Sequence, residues 1–263
     1  MKQSNVISKV IVQIIFYILL VLLWQFLFKV GVELEWWKAY AFPSPLGVGN
    51  VFLKLYKRGT LYTAITASLG RAVIGYGMSV IIGVLSGFIL NQIKILNKTV
   101  RPLLLGIQTL PSICWVPFAI LWLGLQESAI IFVTVIGSTF SIAISTDSAL
   151  NNVSPLYINA AKTLGANRLM LWTRVIFPAS LPMIISGLKH GWSFAWRALM
   201  VGEVMSATVG LGQALIMGRN LADINRVALV MLLIVFIGLL IDQLIFEIIE
   251  RRLLKKRGLS KNS

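Results

Sequence analysis

Apolar residues fall in long runs along this chain, and polar residues are largely confined to the gaps. Such runs occupy Val10–Val30, Leu69–Asn91, Pro102–Leu123, Ser128–Leu150, Ser180–Met205 and Arg226–Ile248. Each is long enough, at about 20 residues, to cross roughly 30 Å of hydrocarbon as a helix. The pattern predicts an all-α membrane protein with six transmembrane helices. The fifth run differs in texture, because Lys189, His190, Arg197 and Glu203 interrupt it. Between the fourth and fifth runs lies "SPLYINAAKTLGANRLMLWTRVIFP", Ser154–Pro178, a basic stretch with a central glycine that cannot cross a bilayer.

Composition supports the membrane reading. Of 263 residues, 57% are hydrophobic and 13% are charged, whereas soluble domains carry about 25% charged residues. The net charge of +15 is read as loop charge that sets topology and meets anionic lipid, not as a nucleic-acid surface. Lys and Arg cluster in alternate gaps. One set holds Lys2, Lys9, Lys94, Lys98, Arg101, Lys162, Arg168, Arg174 and the Arg251–Lys261 cluster; the other holds Lys38, Lys54, Lys57, Arg58 and Arg219. The positive-inside rule then puts both termini, and Ser154–Pro178, in the cytoplasm. The first run is longer than the about 7–15 residues of a signal-peptide core and no small-x-small cleavage site follows it. With Trp24, Trp36, Trp37 and Tyr40 as an interfacial belt, it reads as a retained anchor.

Local chemistry adds detail. "FPSP" (Phe42–Pro45) predicts an extended turn. Val48, Val51, Phe52 and Leu55 then recur at helical spacing opposite Lys54, Lys57 and Arg58, which predicts a short interfacial helix. Gly75, Ser79, Gly83 and Gly87 form a small-residue ladder in the second span, suited to close approach of another helix. Pro111 and Pro117 should kink the third span. Cys114, the single cysteine, is expected as a small buried filler there.

Ser154–Pro178 predicts two short helices. Ser154 caps the first and Pro155 opens it; Gly165 stops it in the left-handed region. Asn167 caps the second, which should end by Pro178. Leu156, Ala160, Thr163 and Leu164 share one face of the first helix. Such a knob fits either a groove on a soluble partner or, as an amphipathic connector, the lipid headgroups.

"NAAKTLGANRLMLWTRVIFP" resembles the cytoplasmic coupling motif of binding-protein-dependent ABC importer permeases, Glu-Ala-Ala followed by Gly and an Ile-x-Leu-Pro ending. Ala160, Ala161, Gly165 and Pro178 match it, and Val175 and Phe177 stand in for the Ile and Leu. Asn159 replaces the glutamate and so loses its charge. From Phe42 to Arg252, segments such as "TLPSICWVPFAILWLGL", "ISGLKHGWSFAWRALMVGEVM" and "GLGQALI" resemble the nitrate/sulfonate/taurine branch. The resemblance implies a type I importer permease fold, with an N-terminal anchor and outer segment over 1–59. A five-helix transmembrane domain over 60–250 would carry the 154–178 coupling segment, followed by a basic tail over 251–263. It also implies a bacterial inner-membrane location, a second permease copy as a homodimer, two copies of an ATPase subunit and an extracytoplasmic substrate-binding protein. Aliphatic sulfonates are the favoured solutes, with taurine, nitrate and thiamine pyrimidine precursors as alternatives.

The chain has no G-x-x-x-x-G-K-[ST] stretch to cradle ATP phosphates, so ATP hydrolysis is expected on another polypeptide. With His190 as the single histidine, no triad or metal site relying on several histidines is expected, and no cofactor. In the fifth run His190, Ser193 and Arg197 share a helical face, flanked by a stripe with Lys189 and Trp196. Ser193, Trp196, Arg197 and Glu203 are candidates for a translocation pathway, since intramembrane charges usually face a cavity or a partner. Alternatively Arg197 pairs with Glu203, and Lys189 reaches the headgroups. An ion-coupled secondary transporter is the competing class, but matching halves and an intramembrane carboxylate pair are not evident in the sequence.

Overall fold

In the computed structural model, residues 2–38 and 40–256 are described, with side chains from 11 to 38 and 40 to 253. The Lys2, Lys9, Lys255 and Lys256 side chains, and the tail residues Arg257 and Lys261, lie outside the described residues. The chain forms α1 (Lys2–Glu33), α2 (Pro45–Lys57), α3 (Thr60–Gln92), α4 (Lys94–Gln108), α5 (Val116–Leu123) and α6 (Glu127–Asn151). There follow α7 (Pro155–Thr163), α8 (Arg168–Leu171), α9 (Phe177–Met205), α10 (Leu211–Asn220), α11 (Ile224–Ile241) and α12 (Ile248–Lys256). No strand occurs among the described residues.

Among the described residues, five stretches are apolar and long enough to cross a membrane: Ile11–Glu33, Thr60–Gln92, Glu127–Asn151, Arg168–Met205 and Ile224–Leu253. The expected span Pro102–Leu123 is not one continuous helix. α4 and the Ser112–Leu123 segment are bent by 100° against each other, a far sharper turn than a kink. Pro111 (φ −57°, ψ 139°) leaves the helical region at the break, as its missing N–H and the restriction it places on its predecessor require. Pro117 kinks nothing: it sits in the first turn of α5, where the absent donor has no partner to lose. Cys114 lies exposed in the turn between these helices, not buried as a filler.

The described residues divide into two compact units. One comprises residues 1–64 and 214–234. Its α2 starts at Ser44, whose extended backbone (φ −110°, ψ 144°) and side chain cap the helix by accepting from Gly47 N at 3.0 Å. Ser44 N donates to Asn225 Oδ1 at 2.9 Å, and Trp24 Nε1 donates to Pro43 O at 3.0 Å. Val48, Leu55, Leu61 and Leu229 form its buried cluster. Of the apolar face expected of α2, Val48 and Leu55 are buried and Val51 is half-buried, but Phe52 is exposed.

The other unit comprises 65–213 and 235–263 and is built around α6. The ladder on α3 does what small residues allow. A Cβ on Gly75 would sit 2.8 Å from Thr134 Cγ2, and one on Gly83 would sit 2.7 Å from Ile142 Cβ. Ser79 between them is fully buried and accepts from Ser138 Oγ at 2.7 Å. α9 packs along α6 by the same device, Gly191 against Ile142 and Gly137 of α6 against Ala198. Without a hydrophobic drive between helices in lipid, such backbone proximity and interhelical hydrogen bonds hold the pair.

Candidate functional site

α7 is a short helix closed at both ends by its own sequence. Ser154 Oγ accepts from Leu156 N at 3.3 Å, and Pro155 occupies the first turn. At the far end Gly165 adopts φ +80°. Its N–H reaches Lys162 O at 3.0 Å, and Ala166 N reaches Ala161 O at 3.0 Å, the paired bonds of a Schellman stop. Asn167 then caps α8 by accepting from Met170 N at 2.8 Å.

The knob stands clear of the rest of the chain. Leu156 is 72% exposed and Leu164 87%; Asn159, Ala160 and Thr163 are exposed with them. The face expected from the sequence is therefore the open face. Ile158 points the other way, against the cluster of Leu150, Val153 and Ile176, where Leu171, Trp172 and Ala179 also pack. This cluster ties α7 to the end of α6 and the start of α9.

Of the motif residues, Asn159, Ala160, Ala161 and Gly165 lie on or beside the knob, with Ala161 half-buried. Pro178 does not: it sits in the first turn of α9. Nor does it end a helix, as expected. α8 runs on through a π turn, Trp172–Ile176, into α9, giving the continuous stretch Arg168–Met205. The wider turn, in which Phe177 N bonds Trp172 O, accommodates the proline by shifting hydrogen bonds to i−5.

The four pathway candidates separate. Ser193 and Arg197 are exposed on one face of α9, with His190. Arg197 Nε donates to Ser193 O at 2.9 Å, and its guanidinium lies 4.8 Å from the Phe194 ring centroid. Trp196 is 7% exposed, stacked on Trp192 with ring centroids 5.6 Å apart. Glu203 is fully buried and has other partners than Arg197. Arg71 Nη1 lies 2.8 Å from it, Ser68 Oγ donates to both carboxylate oxygens, and Gly212 N donates at 2.9 Å. Arg71 also reaches Glu127 at 2.7 Å. Trp196 and Glu203 are thus parts of the packed bundle, whereas Ser193 and Arg197 are exposed. Lys189 pairs with Asp242 at 3.1 Å instead of reaching toward headgroups.

A second polar centre was missed in the sequence. Asp147, fully buried on α6, accepts from Asn97 Nδ2 and Asn151 Nδ2, each at 2.9 Å, and its other oxygen lies 2.9 Å from Arg101 Nε. Asn91 Nδ2 donates to Asn151 Oδ1 at 2.8 Å, so α3, α4 and α6 are joined just before the chain turns into α7. The signal was available: Asn97 and Arg101, and Asp147 and Asn151, are each spaced by four, one helical turn.

Comparison with known proteins fits this construction. Residues 79–255 match the family of binding-protein-dependent transport system inner membrane components, and the chain belongs to that family. It is 30% identical over 226 residues to the putative aliphatic sulfonates transport permease protein SsuC of Escherichia coli, covering 85% of this chain and 83% of that one. It is 29% identical over 191 residues to the nitrate import permease protein NrtB of Leptolyngbya laminosa, covering 73% and 68%. A solved structure of the MetNI methionine ABC transporter in an inward-facing conformation matches with a TM-score of 0.64 at 20% identity, over 74% of this chain and 96% of that one. The fold is that of type I ABC importer permeases. The chain is therefore a multi-pass inner-membrane permease subunit and not an enzyme; the family implies a separate ATPase subunit and a substrate-binding protein.

Proposed function

We propose that this chain forms half of the pathway of an ATP-driven importer for aliphatic sulfonates, working as a homodimer with two ATPase subunits and both termini in the cytoplasm. The observation that carries the reading is the α7 knob, whose capped ends, open apolar face and single anchoring cluster suit it to a cleft in a moving partner. Asn159, Ala160, Ala161 and Gly165 present the docking surface, and Pro178 lies where the motion enters α9. Closure of the ATPases then biases a two-state bundle between its inward- and outward-facing forms.

Ser193 and Arg197 support the choice of an anion. An exposed guanidinium on a membrane-spanning helix is costly against lipid and suits a wet path between two copies. The likeness to SsuC favours a sulfonate delivered by a binding protein; the likeness to NrtB supports nitrate as the second reading. Ion coupling without an ATPase is disfavoured by the setting of Glu203, whose carboxylate is fully buried and already engaged by Arg71, Ser68 and Gly212.

Growth of a deletion strain on an alkanesulfonate, taurine or sulfate as sole sulfur source tests the substrate. Loss on the alkanesulfonate alone, restored by the intact gene, is the expected result. Normal growth on all three overturns the sulfonate reading and directs the same test to nitrate as nitrogen source.

A further inference from the structure

An open-sided cavity of about 700 Å³ lies beside the coupling segment, lined by Phe88, Arg168, Leu169, Trp172, Thr173 and Phe177. Its volume falls in the range of about 300–1,000 Å³ typical of ligand sites. The walls are unequal in chemistry. Phe88 belongs to the apolar stretch of α3, and its ring meets Trp172 edge-on at 5.5 Å. Phe177, 49% exposed, opens the apolar run of α9. Arg168 opens α8 at the very start of the Arg168–Met205 stretch, and Leu169 beside it is 72% exposed. The Thr173 hydroxyl donates to Leu169 O at 2.9 Å, which leaves its lone pairs free to accept.

We propose that this cavity binds an anionic phospholipid from the adjoining leaflet. An acyl chain lies along Phe88, Trp172 and Phe177, and the phosphate meets the Arg168 guanidinium. The argument is one of matched polarity. The cavity wall is apolar, and Arg168, which contributes to it, stands one helical turn before Trp172; an acyl chain in the cavity with its negative headgroup toward Arg168 has the same polarity. A guanidinium recognises phosphate through paired, charge-assisted hydrogen bonds, and basic pockets at the ends of transmembrane helices select such headgroups over neutral ones. Trp172 and Thr173 of the cavity wall both belong to the π turn. A lipid seated there touches the same Trp172 that packs into the anchoring cluster of the knob, so its headgroup is placed to tune coupling. The site needs the membrane embedding of the chain but not the identity of the solute.

The test uses the full chain in nanodiscs of phosphatidylcholine containing a small, equal fraction of acyl-brominated phosphatidylglycerol or acyl-brominated phosphatidylcholine. Bromine quenches tryptophan fluorescence on contact, and a Trp172→Phe reference isolates the Trp172 component. The expected result is that brominated phosphatidylglycerol quenches Trp172 at about fivefold lower mole fraction than the phosphatidylcholine, the factor one basic residue supplies at an anionic surface. Arg168→Gln should abolish that preference, and Thr173→Phe, which fills the cavity without adding an indole, should abolish quenching of Trp172 by the acyl chain. Equal quenching by the two lipids overturns the proposal, as does a preference that survives Arg168→Gln. Loss of the preference when the ATPase subunit is bound overturns it too, because the cavity would then be covered by protein in the working assembly.

Discussion

Arg71 and Glu203, 132 residues apart in the chain, meet at 2.8 Å where their side chains are 4% and 0% exposed. Around the carboxylate the chain folds closely. A Cβ on Gly210 would lie 2.5 Å from the Glu203 Cδ, and one on Gly212 would lie 2.6 Å from the Glu203 Cβ. Ser68 Oγ, which donates to Glu203, itself accepts from Leu211 N at 2.9 Å. One buried charge thereby fixes the start of α10 against α3 and α9.

Removing that carboxylate leaves Arg71 with Glu127 alone, which is 64% exposed. Breaking one side of a buried pair costs about 3–5 kcal/mol, because the remaining charge is stranded. Glu203→Ala is expected to lower the melting temperature in detergent sharply. An Arg71→Met, Glu203→Met double variant should recover part of the loss; an additive loss in the double variant would show that the two do not act as a pair.

Gly165 holds φ +80° with open space where a Cβ would go. The cost of a side chain there is therefore backbone strain, about 1–2 kcal/mol, and not a clash. Gly165→Ala should leave expression and spectra of the permease intact yet weaken capture of the ATPase subunit on an affinity column. Unchanged capture would mean that the shape of the α7 stop is irrelevant to docking.

Asp147→Asn keeps the size of the side chain and an acceptor for the amides, but gives up the charge opposite Arg101. Networks of this kind carry about 0.5–2 kcal/mol of coupling. Solute taken up per ATP hydrolysed is expected to fall about 2- to 30-fold in proteoliposomes while hydrolysis continues. A parallel drop in both rates would instead indicate a general loss of folded protein.

Arg197→Gln removes an exposed cation without disturbing a buried partner. If the pathway reading holds, the KM for an anionic solute should rise about tenfold, the effect of losing one charge-assisted contact, with ATPase association unchanged. An unaltered KM would assign the residue to the protein's own packing.

Gly83→Leu tests a close approach of α3 to α6. The new side chain would have to displace Ile142, which is fully buried, and overpacking of this kind costs about 1–3 kcal/mol. The variant is expected to aggregate on size-exclusion chromatography, whereas Gly77→Leu, where a Cβ meets nothing within 4 Å, should elute normally.

Much of this was legible in the sequence because lipid and helix caps impose local rules. The spans follow from run length. The ends of α7 follow from Ser154, Pro155 and Gly165, whose preferences act within a few residues. What could not be read was the pairing of distant polar groups. Arg71 is a single cation near the edge of an apolar run, and it became visible only when α3 proved to start at Thr60, nine residues before Leu69. Glu203 then acquired three partners from two other segments. Pro178 misled for a related reason: proline signals a helix end locally, but a π turn lets the helix continue, and nothing in the residues from Trp172 to Ile176 announces that turn.

That turn also sets a phase. A π turn lodges one surplus residue in a helix, so the residues before it are offset by about 100° from where an unbroken α-helix would place them. The direction in which α8 and the knob leave α9 is thus written into a single extra residue between Trp172 and Ile176. Deleting one residue there would conserve every docking side chain and every pathway side chain, and still swing one set around the other like a crank remounted on the wrong spline.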